Sequence, residues 1–134
     1  DIPQVLAECR RVLKNGGRFL CSTYGKQHMR EITDLVQQFH KEIVLSAEVL
    51  YERFGLENGE NLLAPYFPEI QMRRYEDAIE IAEAEPLISY ILSCHGNQNQ
   101  LLLNQYKEFR EFVSARVADG FHITKDAGIF LCRK

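Results

Sequence analysis

The stretch ECRRVLKNGGRFLCSTYG, Glu8 to Gly25, constrains the fold more than any other part of the chain. Asp1 can cap a helix ahead of it, and Pro3 sits in the first turn, where a missing N–H costs little. Ile2, Val5, Leu6, Cys9, Val12 and Leu13 recur at helical spacing. Arg10, Arg11 and Lys14 gather at the C-terminal end, where the helix dipole favours cations. Asn15-Gly16-Gly17 stops the helix, because Asn and Gly tolerate the left-handed geometry that closes one. Arg18 to Thr23 follows, centred on Phe19-Leu20-Cys21. A short unbroken apolar run after a glycine turn predicts a strand built for cover on both faces. Helix, tight turn and interior strand are half of a β-α-β layer. An opening at Asp1, with no methionine, fits a piece cut from a longer chain.

The remaining pattern alternates helices and strands. Met29, Ile32, Val36, Phe39 and Ile43 form one helical stripe, and Glu31, Asp34, Gln38 and Lys41 face out. A second helical stretch covers Ala47 to Phe54, and Asn58 caps a short helix through Leu62, Leu63 and Ala64, ended by Pro65 and Pro68. Ile70 to Tyr75 alternates as a partly exposed strand near a sheet edge, extended after a break by Ala78 to Ala82. PLISYILSC, from Pro86, is an apolar helix covered on most sides. HGNQNQ is a polar loop, and a longer helix runs from Gln100 to Asp119, ended by Gly120. The tail FHITKDAGIFLCRK predicts strand, turn and strand, with Asp126-Ala127-Gly128 as the turn and Ile129 to Cys132 inside the sheet.

Composition narrows the function classes. A length of 134 residues suits one domain with a sizeable core. A net charge of −3 offers no basic field for nucleic acid. No run is long enough for a membrane span, and no signal peptide opens the chain. Cys9, Cys21, Cys94 and Cys132 form no C-x-x-C pair and lie in apolar segments, as buried thiols of a reducing, cytoplasmic compartment do. Metal binding is not expected, because no short-spaced ligand set is present.

The motif also carries a family resemblance. ECRRVLKNGGRFLCSTYG resembles the E-x-x-R-V-L-K-P-G-G-(x)-(apolar) segment of class I S-adenosylmethionine-dependent methyltransferases. Glu8, Arg11, Val12, Leu13, Lys14, Gly16 and Gly17 match, and Asn15 replaces the usual proline. STYG…HM…EI, ENGENLLAPYFPEI and TKDAGIFLCRK resemble, in the same order, the second half of the small-molecule branch. The resemblance implies an α/β fold, part of a Rossmann-like sheet of order 3-2-1-4-5-7-6. Arg18–Thr23 would be strand 5, Ile70–Tyr75 strand 6 and Ile129–Arg133 the antiparallel strand 7, with helices flanking them. Residues 1–134 would be the C-terminal portion of one domain, with residues 86–119 a helical insertion that covers the acceptor pocket.

The same resemblance implies S-adenosylmethionine as cofactor of the full-length enzyme and a small molecule as methyl acceptor. The glycine-rich turn that receives the cofactor is missing, because the chain contains no G-x-G. No cofactor-binding residue is therefore assigned, and the isolated chain is expected to be inactive. Carboxyl ends of strands line ligand crevices in open α/β sheets, which makes Thr23, Tyr24 and His28 the candidate substrate-binding residues. His28 would orient or deprotonate an acceptor and Tyr24 would pack against it; equally, His28 opens a helix and Tyr24 covers the sheet edge. Arg73 and Arg74 would recognise an anionic acceptor or, as solvent-facing charges, discourage edge pairing. No catalytic residue is assigned. The alternative is a non-catalytic interaction or oligomerisation module. A buried-type strand with an open edge invites another chain, so a homodimer or a domain-swapped assembly through the first strand is expected.

Overall fold

A computed structural model describes residues 1–46 and 48–134. The fold is mixed α/β, with a three-stranded antiparallel sheet of order β1-β3-β2. The strands are β1 (Arg18–Tyr24), β2 (Glu69–Ile81) and β3 (Phe121–Arg133). The last strand of the chain therefore lies in the middle. β1 pairs antiparallel with β3 from Arg18 opposite Arg133 to Tyr24 opposite Ala127. The chain divides into two compact units, one of residues 1–28, 50–76 and 126–134 and the other of residues 29–49 and 77–125.

In the first unit, α1 (Ile2–Val12) is capped by the Asp1 carboxylate, which accepts the Gln4 N–H at 3.1 Å. The glycine turn is tied to the end of β3: Gly16 N–H donates to the Lys134 carbonyl and Lys134 N–H to that of Gly17, each at 3.0 Å. Leu6, Leu56, Leu63, Phe67, Phe130 and Cys132 form the core, and Phe19 stacks on Phe67 with ring centroids 5.3 Å apart. Two short helices, α3 (Leu50–Phe54) and α4 (Gly59–Leu63), supply Phe54 and Leu63. Only one face of β1 is covered. Phe19, Cys21 and Thr23 are half-buried, whereas Arg18 and Ser22 are exposed and Leu20 is 54% exposed.

In the second unit, α2 (Arg30–Phe39), α5 (Ala84–Ser93) and α7 (Tyr106–Val117) carry the core. Val36, Ile88, Ile91, Phe109 and Val113 are all buried there. Each such side chain contributes about 1.5–3 kcal/mol by leaving water. Glu31 bridges to β3, accepting the Thr124 hydroxyl at 2.6 Å and its N–H at 3.0 Å. Burial pushes the Glu31 carboxyl up, and these bonds outweigh it and hold the group below its ordinary value. No helix among the described residues is long and apolar enough to cross a membrane.

Several elements differ from the sequence expectation. The tail is one strand, not a hairpin. Asp126, Ala127 and Gly128 lie within β3, and Gly128 serves close packing: a Cβ there would stand 2.7 Å from Leu56 Cδ2 and 2.9 Å from the Arg73 carbonyl oxygen. β2 runs without a break through Ala78 to Ile81. The long helix from Gln100 is two helices, α6 (Gln98–Leu102) and α7, joined by a 3₁₀ turn over Leu103–Gln105. The stripe from Met29 to Ile43 leaves the helix at Phe39, although Ile43 is still buried. Asn58 does not cap α4 with its side chain; it accepts the Gly55 N–H and donates to the Glu52 carbonyl, both at 2.7 Å. Helix α3 begins at Leu50, and the expected start at Ala47 lies outside the described residues.

Candidate functional site

The carboxyl end of β1 lies in the first unit and gathers the polar side chains that the sequence pointed to, together with others it did not. Thr23 belongs to the covered face of β1, and its hydroxyl donates to the Phe54 carbonyl at 2.7 Å, tying the strand to α3. Tyr24 projects from the other face, because successive strand residues alternate. Its ring stacks on that of His28, with centroids 4.9 Å apart and planes 19° from parallel. The His28 Nδ1 accepts the backbone N–H of Asp126 at 3.1 Å. That bond requires a bare Nδ1 and so puts the proton of the neutral ring on Nε2. Tyr24 and His28 therefore form a stacked two-ring pair, each covering one face of the other, and Thr23 is engaged apart from it.

Beside them lies an ionic cluster. Arg74 on β2 faces two carboxylates: its Nη2 is 3.0 Å from Glu57 Oε1, and its Nε is 2.8 Å from Asp126 Oδ1. Asp126 Oδ1 is buried and has no aligned hydrogen bond, so that contact balances charge without satisfying the oxygen's geometry. The Asp126 side chain is 7% exposed, against 37% for Arg74 and Glu57. Two carboxylates on one guanidinium leave the cluster one negative charge in excess. Sequence reading missed Asp126, which it placed in a turn, and Glu57. The available signal was an acid placed directly before the apolar run AGIFLC.

The residues present do not fit the nucleoside site of an S-adenosylmethionine enzyme. Gly25, which follows β1, has no open backbone for a ligand to approach. A Cβ there would meet Asp126 Oδ2 at 2.2 Å and Glu57 Oε1 at 2.8 Å, so the carboxylates already fill that space. Nor do three His, Cys, Asp or Glu side chains gather to hold a metal ion among the described residues. An apolar groove of about 320 Å³ opens between α1, β1 and α3, lined by Asp1, Ile2, Val5, Leu6, Phe19, Cys21 and Phe54. Its polar lining residue, Asp1, already accepts the Gln4 N–H, and the apolar remainder gives a ligand no group to orient it. No known protein family and no curated protein matches the chain.

Proposed function

We propose that this chain is the acceptor-side portion of a cytoplasmic class I S-adenosylmethionine-dependent methyltransferase that acts on a small molecule. The observation that carries the reading is the sheet order. After ECRRVLKNGGRFLC, the next two strands could join β1 in any order, yet the last one enters between the other two and antiparallel to β1. The same order would follow if β1, β3 and β2 were strands 5, 7 and 6 of the family, with the helices of residues 86–119 as an insertion. Exposed apolar surface supports the same reading. Val5, 58% exposed, borders the apolar groove, and Leu20, 54% exposed, lies on the opposite face of β1; further polypeptide would cover both surfaces.

S-adenosylmethionine supplies the methyl group in that family, and the residues that hold it belong to chain outside residues 1–134. The share of this chain is positioning. A planar acceptor would extend the Tyr24–His28 stack on its outer face, and the Asp126 N–H fixes the ring that carries the Nε2 proton. One observation favours a second reading, an interaction module. Among the described residues the outer edge of β1 has no neighbouring strand, and an open edge of this kind pairs with another copy as a dimer or a domain swap.

Calorimetric titration of S-adenosylmethionine separates the two. Into the complete polypeptide that the gene encodes it should give binding at micromolar ligand, and into residues 1–134 none. Binding by residues 1–134 alone contradicts the proposed division of labour. No binding by the complete polypeptide favours the interaction module.

A further inference from the structure

We propose, independently of the methyltransferase reading, that two copies of this chain pair through β2, antiparallel about a two-fold axis at Tyr75, to make a continuous six-stranded sheet. β2 ends the sheet opposite β1, and its second edge has no strand against it among the described residues. It is 13 residues long and exposed from Gln71 to Glu80. Natural edge strands avoid association by being short, by bulging, or by carrying Pro or charged side chains, Lys above all. EIQMRRYEDAIEI is long and has no Pro, Lys or Gly, and its charges near the midpoint are ones that a second copy can neutralise.

What identifies the occupant as a second copy is the arrangement of charge. Tyr75 is the middle residue of Glu69–Ile81. Laid antiparallel on itself about that residue, the strand overlaps along its whole length with no overhang. Arg73 then faces Asp77 of the partner subunit, and Arg74 faces Glu76 of the partner subunit. Tyr75 faces its own copy, and Met72 meets Ala78 of the partner subunit. Directly opposed residues share a face of the sheet, so these are true neighbours, and opposite charges and aromatic pairs at such positions stabilise a ladder. The symmetry doubles each contact. Arg73, Glu76 and Asp77 make no ion pair within the chain among the described residues. Tyr75 is 67% exposed. A strand bearing one sign of charge would repel its copy, whereas this one is basic before its midpoint and acidic after it.

Sedimentation equilibrium on the charge-swapped variants tests this pairing. The natural chain should be a dimer. Arg73→Asp sets acid against acid and Asp77→Arg sets base against base, so each variant alone should dissociate about 10-fold more readily or worse. Mixed in equal amounts they should form a heterodimer, because every opposed pair is then of opposite sign, and the double variant R73D/D77R should dimerise by itself. Both positions are exposed, and circular dichroism checks that each variant is folded. A monomeric natural chain overturns the proposal, as does a dimer that neither variant weakens or a mixture that stays monomeric. A dimer lost in Leu20→Lys but kept in Arg73→Asp overturns it in favour of pairing through β1.

Discussion

Arg74 Nε lies 2.8 Å from Asp126 Oδ1, joining a half-exposed cation on β2 to a buried carboxylate on β3. Removing the cation strands the acid, and an uncompensated buried charge costs far more than a surface pair is worth. Arg74→Ala should therefore destabilise the fold by about 2–3 kcal/mol, below the full buried-pair cost because the guanidinium is partly solvated. Asp126→Asn should cost less, since Arg74 keeps Glu57. Urea unfolding midpoints of the two variants check the order; equal costs would deny Asp126 its dependence on Arg74.

Gly128 tests the single-strand form of the tail. A methyl group there would press on Leu56 Cδ2 and the Arg73 carbonyl, and the latter cannot rotate away as a side chain can. Gly128→Ala should cost about 1–3 kcal/mol by overpacking. A hairpin turn at that position would accept the methyl group at little cost in thermal unfolding.

The thiol of Cys21 carries a pH dependence. Burial, then the neighbouring Cys132 and Cys9, pushes it from an ordinary 9.0 up to about 11. Below pH 9 both folded and unfolded chains keep the proton, and the full stability is present. Between pH 9 and about 11 the unfolded chain ionises and the folded chain does not, so stability falls, by less than the full shift would give because the thiol is only half-buried. Cys21→Ala should flatten this decline in chemical unfolding followed from pH 8 to 11. A residual slope remains from Cys94 and Cys132, whose thiols burial also pushes up.

What was legible in the sequence was what depends on local pattern. Asp1, the apolar spacing after it and the double glycine marked α1 and its end, and the Phe19-Leu20-Cys21 run marked β1. The β1-β3-β2 order came from resemblance of motifs, because no local pattern states which strands are neighbours. Asp126 and Gly128 were misread for a physical reason: Asp-Ala-Gly has turn chemistry in isolation, and only the guanidinium of Arg74 and the packing of Leu56 make it a strand. The 3₁₀ turn at Leu103–Gln105 was invisible because apolar residues continue through it and three residues are too few to change a period. The nearness of Tyr24 and His28 follows from their place at the end of β1, whereas the Arg74–Asp126–Glu57 cluster joins residues that no spacing rule connects.

On the proposed reading, β1 belongs inside a wider sheet. In an antiparallel pair only alternate residues direct their N–H groups at the partner, so half of the β1 amides point away from β3. Backbone hydrogen exchange at Arg18–Tyr24, measured on residues 1–134 and on the complete polypeptide of the gene, reads those amides directly. The account predicts that they exchange almost as an open chain does in residues 1–134 and gain about 100-fold protection or more in the complete polypeptide. Full protection in residues 1–134, or no gain in the complete polypeptide, would contradict it.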